Sequence, residues 1–258
     1  MPDLVYVHID TTSNAILTQG ITTHDFHQGI VHQPKNLLLL NPTSDLGDFE
    51  PSTGMKIIRG SEAVTNFFQL ASRGNPDDNK WIDFTDVQML KELSPLEISE
   101  LLYFGHMKTH LHSPFFYKLQ NNFVYFDLKD QVSRTYYRYL DEFYRILSNK
   151  ITHTALEALN ERRGFFKKPM PVEKINIELI KSLREVMREG IVLSFKDARK
   201  GDSYQIPIYV VEDSLLTQIR ALKEEELVGH LSYHLTDKVW SLDLDEDNLL
   251  LSGLPYSF

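Results

Sequence analysis

Cysteine is absent from the 258 residues of the chain. This absence excludes disulfide bonds, thiolate zinc sites, cysteine-held iron–sulfur clusters and cysteine nucleophiles. Any metal site must therefore draw its ligands from histidine, aspartate, glutamate or backbone oxygen. The soft-metal chemistry open to this chain consequently rests on its 10 histidines.

Long apolar runs are also missing. The longest unbroken aliphatic run is Leu37–Leu40, whereas a membrane-spanning helix needs about 20 apolar residues. The N-terminus, MPDLVYVHID, lacks the basic and apolar regions of a secretory signal. No dinucleotide-binding Gly-x-Gly-x-x-Gly, Walker or Gly-x-Ser-x-Gly motif occurs. We therefore expect a cytoplasmic protein without a membrane partner.

The composition is that of a globular protein, with 42% hydrophobic and 24% charged residues. Strand-like and helix-like segments mix along the chain without a regular βαβ alternation, which favours an α+β fold over a doubly wound parallel sheet. We predict mixed or mainly antiparallel short strands with a helical middle segment. Residues 1–258 are expected to form one compact α+β unit, with sub-boundaries considered near 74–80 and near 190.

Several strands are predicted from β-branched, aromatic or short apolar runs. They cover residues 4–9, 37–40, 55–58, 123–128, 191–195, 204–211 and 239–244. Pro207 places the strand over 204–211 at a sheet edge or at a bulge, because proline cannot donate a ladder hydrogen bond. A terminal hairpin is expected to pair residues 239–244 with 249–251.

Helices are predicted where apolar residues recur at helical spacing. They cover residues 61–71, 95–105, 133–149, 152–163, 175–188 and most of 214–235. The strongest start signal is Ser94-Pro95-Leu96-Glu97, which combines a capping box with proline at the first helical position.

The net charge of -9 is distributed unevenly. Residues 1–133 carry 9 basic and 16 acidic side chains, residues 134–200 carry 15 and 9, and residues 201–258 carry 3 and 11, which gives -7, +6 and -8. A basic centre between acidic ends indicates either electrostatic docking within the chain or an anion site. The overall charge argues against general nucleic-acid binding.

The densest histidine segment contains His106, His110 and His112. On a helix, His106 and His110 would share a face and could hold one divalent cation, such as Zn, Ni, Cu or Fe. His8 and Asp10 could complete the ligand set from one face of the first strand. The segment lacks the glutamate that a zinc-protease motif places beside its first histidine. The alternative is that these are surface or capping histidines.

Two further histidine groups are weaker. His230 and His234 lie four residues apart in a predicted helix, where imidazolium near the helix C-terminus would be favoured by the macrodipole. His24, His27 and His32 lie in the N-terminal loop region, beside Asp25.

The basic, aromatic middle, residues 134–168, is the second functional indication. Arg134, Arg138 and Arg145 are predicted on one helical face, beside several tyrosines. A basic loop follows, and its candidate anion-binding residues are Arg162, Arg163, Lys167 and Lys168. Such groups can neutralise phosphates while aromatics stack on bases, but a solvated amphipathic helix has the same pattern.

Two functions from different classes follow. The first is a metal-binding protein or metal-dependent enzyme, whose cation would polarise an anionic substrate or activate water. The second is a non-catalytic interaction protein that binds a partner protein or an anionic polymer through residues 134–168. The sequence leaves open whether the chain is an enzyme and whether it forms a homo-oligomer.

Overall fold

The structure is a computed structural model of the chain, and it describes residues 4–41, 43–71, 79–105, 114–128, 132–161, 169–196, 198–211 and 222–245. The fold is α+β and is dominated by antiparallel sheet. The described chain forms two compact units: residues 1–9, 18–21 and 144–258 make the first, and residues 10–17 and 22–143 make the second. The sequence predicts that the whole chain forms one compact unit. Whether it does depends on how the two units are arranged relative to each other, so this stays a prediction.

The first unit contains strands from both ends of the chain. Their bounds are β1 Leu4–Asp10, β9 Ile191–Ser194, β10 Arg199–Lys200, β11 Ser203–Val210, β12 Leu227–His234 and β13 Val239–Leu244. They follow the order β13-β12-β11-β9-β1, and β10 pairs with β11. Each of these pairings is antiparallel.

The helices of the first unit come before β9 in the sequence. Most of α4, Leu140–Asn160, lies in this unit, and α5, Ile177–Lys181, and α6, Arg184–Glu189, come after it. The segment before α5 is fixed to α4, because Ser148 Oγ donates to the carbonyl of Ile175 (2.7 Å) and Ile175 N donates to Thr152 Oγ1 (3.2 Å). The predicted helix over 175–188 is thus observed as two short helices.

The second unit contains the remaining strands and helices. Its elements are β2 Ala15–Gln19, which begins in this unit, α1 Thr23–Gly29, β3 Asn36–Leu39, β4 Asp48–Glu50, β5 Met55–Arg59, α2 Ser61–Ala71, β6 Lys80–Phe84, α3 Pro95–Gly105, β7 Phe123–Asp127 and β8 Val132–Tyr137. A short 3₁₀ helix spans Val87–Glu92. The strand order is β2-β8-β7-β6-β3-β5-β4.

Local sequence signals explain several of these elements. All of β3 is buried, as its continuous leucine run predicts. Helix α2 buries Val64, Phe67 and Phe68 on one face. The capping box at α3 is confirmed: Ser94 N donates to Glu97 Oε2 (2.7 Å), and Glu97 N donates to Ser94 Oγ (3.3 Å).

The predicted helix over residues 133–149 is wrong for its first part and confirmed from Leu140 onward. Residues Val132–Tyr137 form β8, and α4 begins only at Leu140 and continues to Asn160. The helical spacing combined Tyr136 from the strand with Phe143 and Leu147 from the helix, so it joined two elements into one pattern. Strand β8 is set by its antiparallel pairing with β7, which no local pattern reveals.

The predicted helix over residues 214–235 is wrong for the part that the structure describes. Residues Leu227–His234 form β12, which pairs with β11 and β13. The predicted edge position of Pro207 is also wrong, because β11 lies between β9 and β12. The bulge alternative agrees with the structure, since the β11–β12 register shifts between Ile208 and Tyr209.

In the terminal region, β13 pairs with β12, and residues 246–258, including the predicted strand 249–251, lie outside the described residues. Of the predicted sub-boundary near 74–80, residues 74–78 also lie outside the described residues. Among the residues that are described, no helix combines the length and apolar character needed to cross a membrane.

Candidate functional site

The three histidines of the predicted metal site, His106, His110 and His112, lie outside the described residues, directly after α3. Within the described ranges, no group of three or more histidines, aspartates and glutamates is placed to hold a metal ion. Metal binding at the three histidines stays a prediction.

Of the two residues expected to complete that site, Asp10 has a local structural role. Its Oδ1 accepts from Thr12 N (2.9 Å) and its Oδ2 accepts from Ser13 Oγ (2.6 Å), which is a side-chain-capped turn. Burial acts to raise the pKa of this carboxyl, but the hydrogen bonds from Ser13 and Thr12 outweigh it and hold the pKa below its usual range. His8 is half-buried and lies two residues earlier on β1. Binding a cation would require Asp10 to give up part of this turn.

The basic middle is divided among different elements, so the predicted single helical face is wrong. Arg134 lies in β8, Arg138 follows that strand and Arg145 lies in α4. The guanidinium carbon of Arg138 lies 5.4 Å from the ring centroid of Phe115, within the range of a cation–π contact. The predicted anion-binding residues lie outside the described part of the chain; they are Arg162, Arg163, Lys167 and Lys168.

His230 and His234 occupy β12, so their predicted position on one helix is wrong. Because side chains two or four apart share a face of a strand, the two still lie on the same side of β12. His234 Nε2 lies 2.8 Å from Ser241 Oγ on β13. This hydrogen bond joins the two strands.

The N-terminal histidines serve separate local contacts. Asp25 forms a capping box with Thr22 at the start of α1. The ring of His27 packs against Phe68, with 4.8 Å between centroids, and burial, followed by the proximity of His24, lowers its pKa. His32 instead contacts Glu142.

The sequence indicated no functional role for the residues that line a groove in the described part of the first unit. This groove has a volume of about 600 Å³. One wall is residues 173–182, which include α5, and the other is the start of β13 with the turn before it. The lining side chains are Glu173, Lys174, Asn176, Glu178, Leu179, Ser182, Lys238, Val239 and Trp240.

Two aromatic residues fix the walls of the groove to each other. Tyr233 and Trp240 are directly opposite on β12 and β13, with 5.1 Å between ring centroids. The Tyr233 hydroxyl accepts from Glu173 N (3.2 Å), and Trp240 Nε1–H donates to the Glu173 carbonyl (2.7 Å). The backbone N–H and C=O of Glu173 are thus both hydrogen-bonded to side chains that face each other across β12 and β13.

The α5 wall carries charges of both signs. Asn176 caps α5 by accepting from Glu178 N (3.0 Å). The Lys181 Nζ lies 3.1 Å from Glu178 Oε1. Lys174 and Glu173 are exposed at the beginning of this wall, and Lys238 faces them from the turn before β13. The polar rim therefore offers both carboxylates and ammonium groups to a ligand.

The opposite wall presents apolar surface. Val239 is 51% exposed at the first position of β13, and Trp240 follows it; Leu179 adds apolar surface from the α5 wall. Strand β13 pairs with β12 on one side, and within residues 4–245 no described strand pairs with its other side.

No protein-family model, curated protein or solved structure matches the chain. The groove could not be found from sequence, because its walls are separated by more than fifty positions and meet only through the β12–β13 hairpin. The sole local signal was the Val239-Trp240 pair, which begins a predicted strand with two large apolar residues.

Proposed function

We propose that the chain is a non-catalytic binding protein that takes an extended segment of a partner protein into the groove beside β13. The observation that carries the proposal is the groove itself, about 600 Å³ in volume and lined by Val239, Trp240 and Leu179. This volume lies within the range of about 300–1,000 Å³ that ligand sites occupy.

An extended peptide suits the groove in two respects. The apolar lining can take an apolar side chain of that peptide, and the rim charges can pair with charged side chains on either side of it. Electrostatic pairs at such a rim contribute mainly to specificity and association rate.

The groove is also preorganised. Trp240 is held by its hydrogen bond to Glu173 and by its contact with Tyr233, so little side-chain freedom remains to be lost on binding. Ordering a flexible side chain at an interface costs about 0.5–1.5 kcal/mol, and this cost has already been met in the free protein. Tryptophan side chains held in this way at an interface are typical binding hot spots.

The test is a selection of peptides from a phage-displayed random library on the full-length protein. We expect the selected peptides to share an apolar residue and to bind Val239→Asp about tenfold more weakly or worse, which corresponds to about 1.4 kcal/mol. The matched control is Leu96→Asp, an exposed apolar residue on α3 in the second unit. Peptides that bind all three proteins equally, or a failure to select any, would contradict the proposal.

A direct readout is available because the chain has only two tryptophans. Trp81 is fully buried in the second unit, whereas Trp240 lines the groove. In Trp81→Phe, the remaining fluorescence reports on Trp240 alone. Binding of a selected peptide is expected to shift the emission of this variant, and an unchanged spectrum at saturation would place the peptide elsewhere.

The metal-dependent function, with Zn, Ni or Fe bound by His106, His110 and His112, stays a separate prediction whose support is the density of these histidines in the sequence. Metal analysis of the purified protein tests it, with the triple alanine variant as the control. Absence of bound metal together with an unchanged melting temperature on adding Zn or Ni would reject it. Loss of salt-dependent RNA binding in Arg162→Ala and Lys167→Ala would instead support the anionic-polymer alternative.

A further inference from the structure

We propose that His32 is a nucleophilic imidazole that accepts acyl groups from activated donors such as anhydrides and aryl esters. This goes beyond the peptide-binding function and involves only residues of the second unit. It rests on the contacts of one buried carboxylate, that of Glu142 in the first turn of α4.

The Glu142 carboxylate holds both the backbone and the ring of His32. Its Oε2 accepts from Val31 N (2.7 Å), and its Oε1 accepts from His32 N (3.2 Å) and contacts His32 Nδ1. The Glu142 side chain is only 5% exposed. Three hydrogen bonds to one buried carboxylate therefore fix both the loop and the orientation of the imidazole.

This contact decides which ring nitrogen can react. An ionised carboxylate only accepts hydrogen bonds, so Nδ1 is the donor and carries the proton. In the neutral ring, the lone pair then resides on Nε2. A carboxylate in this position also stabilises the imidazolium that forms when Nε2 attacks, which is the role of the orienting acid in catalytic triads.

The ring is accessible and lies beside an aromatic surface. The His32 side chain is 55% exposed. Its centroid lies 5.6 Å from that of Tyr139, with 31° between the ring planes, and Tyr139 and Val31 are both more than half exposed. An acyl donor with a planar leaving group could lie against this surface while its carbonyl carbon meets Nε2.

The chain contains an internal control. His153 and Glu157 form an ion pair on α4, with 3.3 Å between Nδ1 and Oε2. His153 is more exposed than His32, but its glutamate is 39% exposed, compared with 5% for Glu142. Exposure alone would make His153 the more reactive residue, whereas orientation by a buried carboxylate would favour His32.

The probe is diethyl pyrocarbonate. Nε2 attacks one carbonyl carbon, the N–C bond forms and the C–O bond to the ethyl carbonate leaving group breaks. The Nδ1 proton is released, and ethyl carbonate takes up a proton and decomposes to ethanol and carbon dioxide. The product is an N-ethoxycarbonyl imidazole, and no oxidant or reductant is needed.

Modification rates of individual histidines in the full-length protein can be followed by mass spectrometry of peptides. We expect His32 to react at least about fivefold faster than His153, the factor that corresponds to one hydrogen bond of about 1 kcal/mol. Glu142→Gln is expected to slow His32 by a similar factor without changing His153, and Glu157→Gln should leave both rates unchanged. Equal rates in the unmodified sequence, or an unchanged His32 rate in Glu142→Gln, would overturn the proposal.

A second measurement does not depend on how well Glu142→Gln folds. Long-range ¹H–¹⁵N spectra of the wild-type protein distinguish a protonated ring nitrogen from one with a free lone pair. The proposal requires that Nε2 of His32 is unprotonated in the neutral ring. Observation of the opposite tautomer would overturn it, whatever the variant shows.

Discussion

The indole Nε1–H of Trp240 donates a hydrogen bond of 2.7 Å to the backbone carbonyl of Glu173, which joins β13 to the segment that precedes α5. Tyr233 holds the amide of the same residue. The position of one wall of the groove thus depends on Trp240 of the opposite wall and on Tyr233 of the neighbouring strand β12. Mutation of either side chain can therefore test this contact.

Replacing Trp240 with phenylalanine removes the indole donor while keeping an aromatic ring beside Tyr233. Because this hydrogen bond is exposed, we expect a loss of about 1 kcal/mol in the free energy of unfolding, the typical net value of one hydrogen bond. Urea denaturation followed by circular dichroism measures it. A loss no larger than that of Val239→Ala, at the exposed neighbouring position, would show that the hydrogen bond contributes little.

Gly229 lies in β12 opposite Leu244 of β13, where an added side chain would meet the β13 backbone. Its φ of +153° is rarely adopted by other residues, and an added Cβ would lie 2.2 Å from the Asp243 carbonyl oxygen. We expect Gly229→Ala to destabilise the protein by more than about 2 kcal/mol, because the two strands must separate, and to weaken peptide binding in the groove.

The control for this variant is Gly54→Ala. Gly54 also has a positive φ, +72°, but an added Cβ there meets no atom within 4 Å. Gly54→Ala should lower the free energy of unfolding by only about 1 kcal/mol, because alanine is disfavoured at a positive φ. Equal melting temperatures for the two variants would contradict the steric explanation.

Asp83 is a buried carboxylate on β6 and should make stability depend on pH. Its Oδ1 accepts from Asn122 N (2.9 Å) and Phe123 N (2.7 Å). Burial raises its pKa from 3.8 to about 6, against the opposing effects of these hydrogen bonds and of Arg138. The folded state therefore binds the proton more tightly than the unfolded state, and this contribution to stability is lost as pH rises from about 4 to about 6.

Asp83→Asn removes the titration and keeps one acceptor oxygen. The difference in unfolding free energy between wild type and this variant should move in favour of the variant between about pH 4 and pH 6, by an amount on the order of 3 kcal/mol. Denaturation curves at a series of pH values measure the change. A difference that is constant with pH would show that Asp83 has an ordinary pKa.

Asn79 is the centre of a buried polar network in the second unit. Its amide nitrogen donates to Thr23 Oγ1 (2.8 Å) and Asp127 Oδ2 (3.0 Å), and its oxygen accepts from Trp81 Nε1 (3.1 Å). Asn79→Ala should cost about 2–3 kcal/mol, because it leaves the buried indole N–H of Trp81 without its acceptor and removes the hydrogen bonds to Thr23 and Asp127. Thermal unfolding measures the loss, and a value near that of an exposed substitution would contradict the role of this network.

The sequence was informative where local patterns act alone. The continuous leucines of β3, the amphipathic face of α2 and the capping box of Ser94 and Glu97 each predict the element that is observed. It failed where pairing between distant segments decides the structure. Strand β8 carries helix-compatible spacing but pairs with β7, and β12 carries few strand signals but lies between two partners.

The residue pairs at the two candidate sites could not be predicted from the sequence for the same reason. Glu173 and Trp240 are 67 residues apart in sequence, and His32 and Glu142 are 110 apart. Each pair forms only because the fold brings two elements together. Histidine spacing can indicate only sites whose residues are close in the sequence, whereas His32 is oriented by a glutamate in a helix far along the chain.

The pairing of β1 with β9 can form only after β9 has been synthesised. Residues 4–7 pair with residues 191–194, so β1 must wait for a partner strand that is made more than 180 positions later. At about 5–20 residues per second, that delay is roughly 10 to 40 s. During this interval the apolar segment Leu4–Ile9 has no native partner strand from β9, and we expect it to be a binding site for a nascent-chain chaperone.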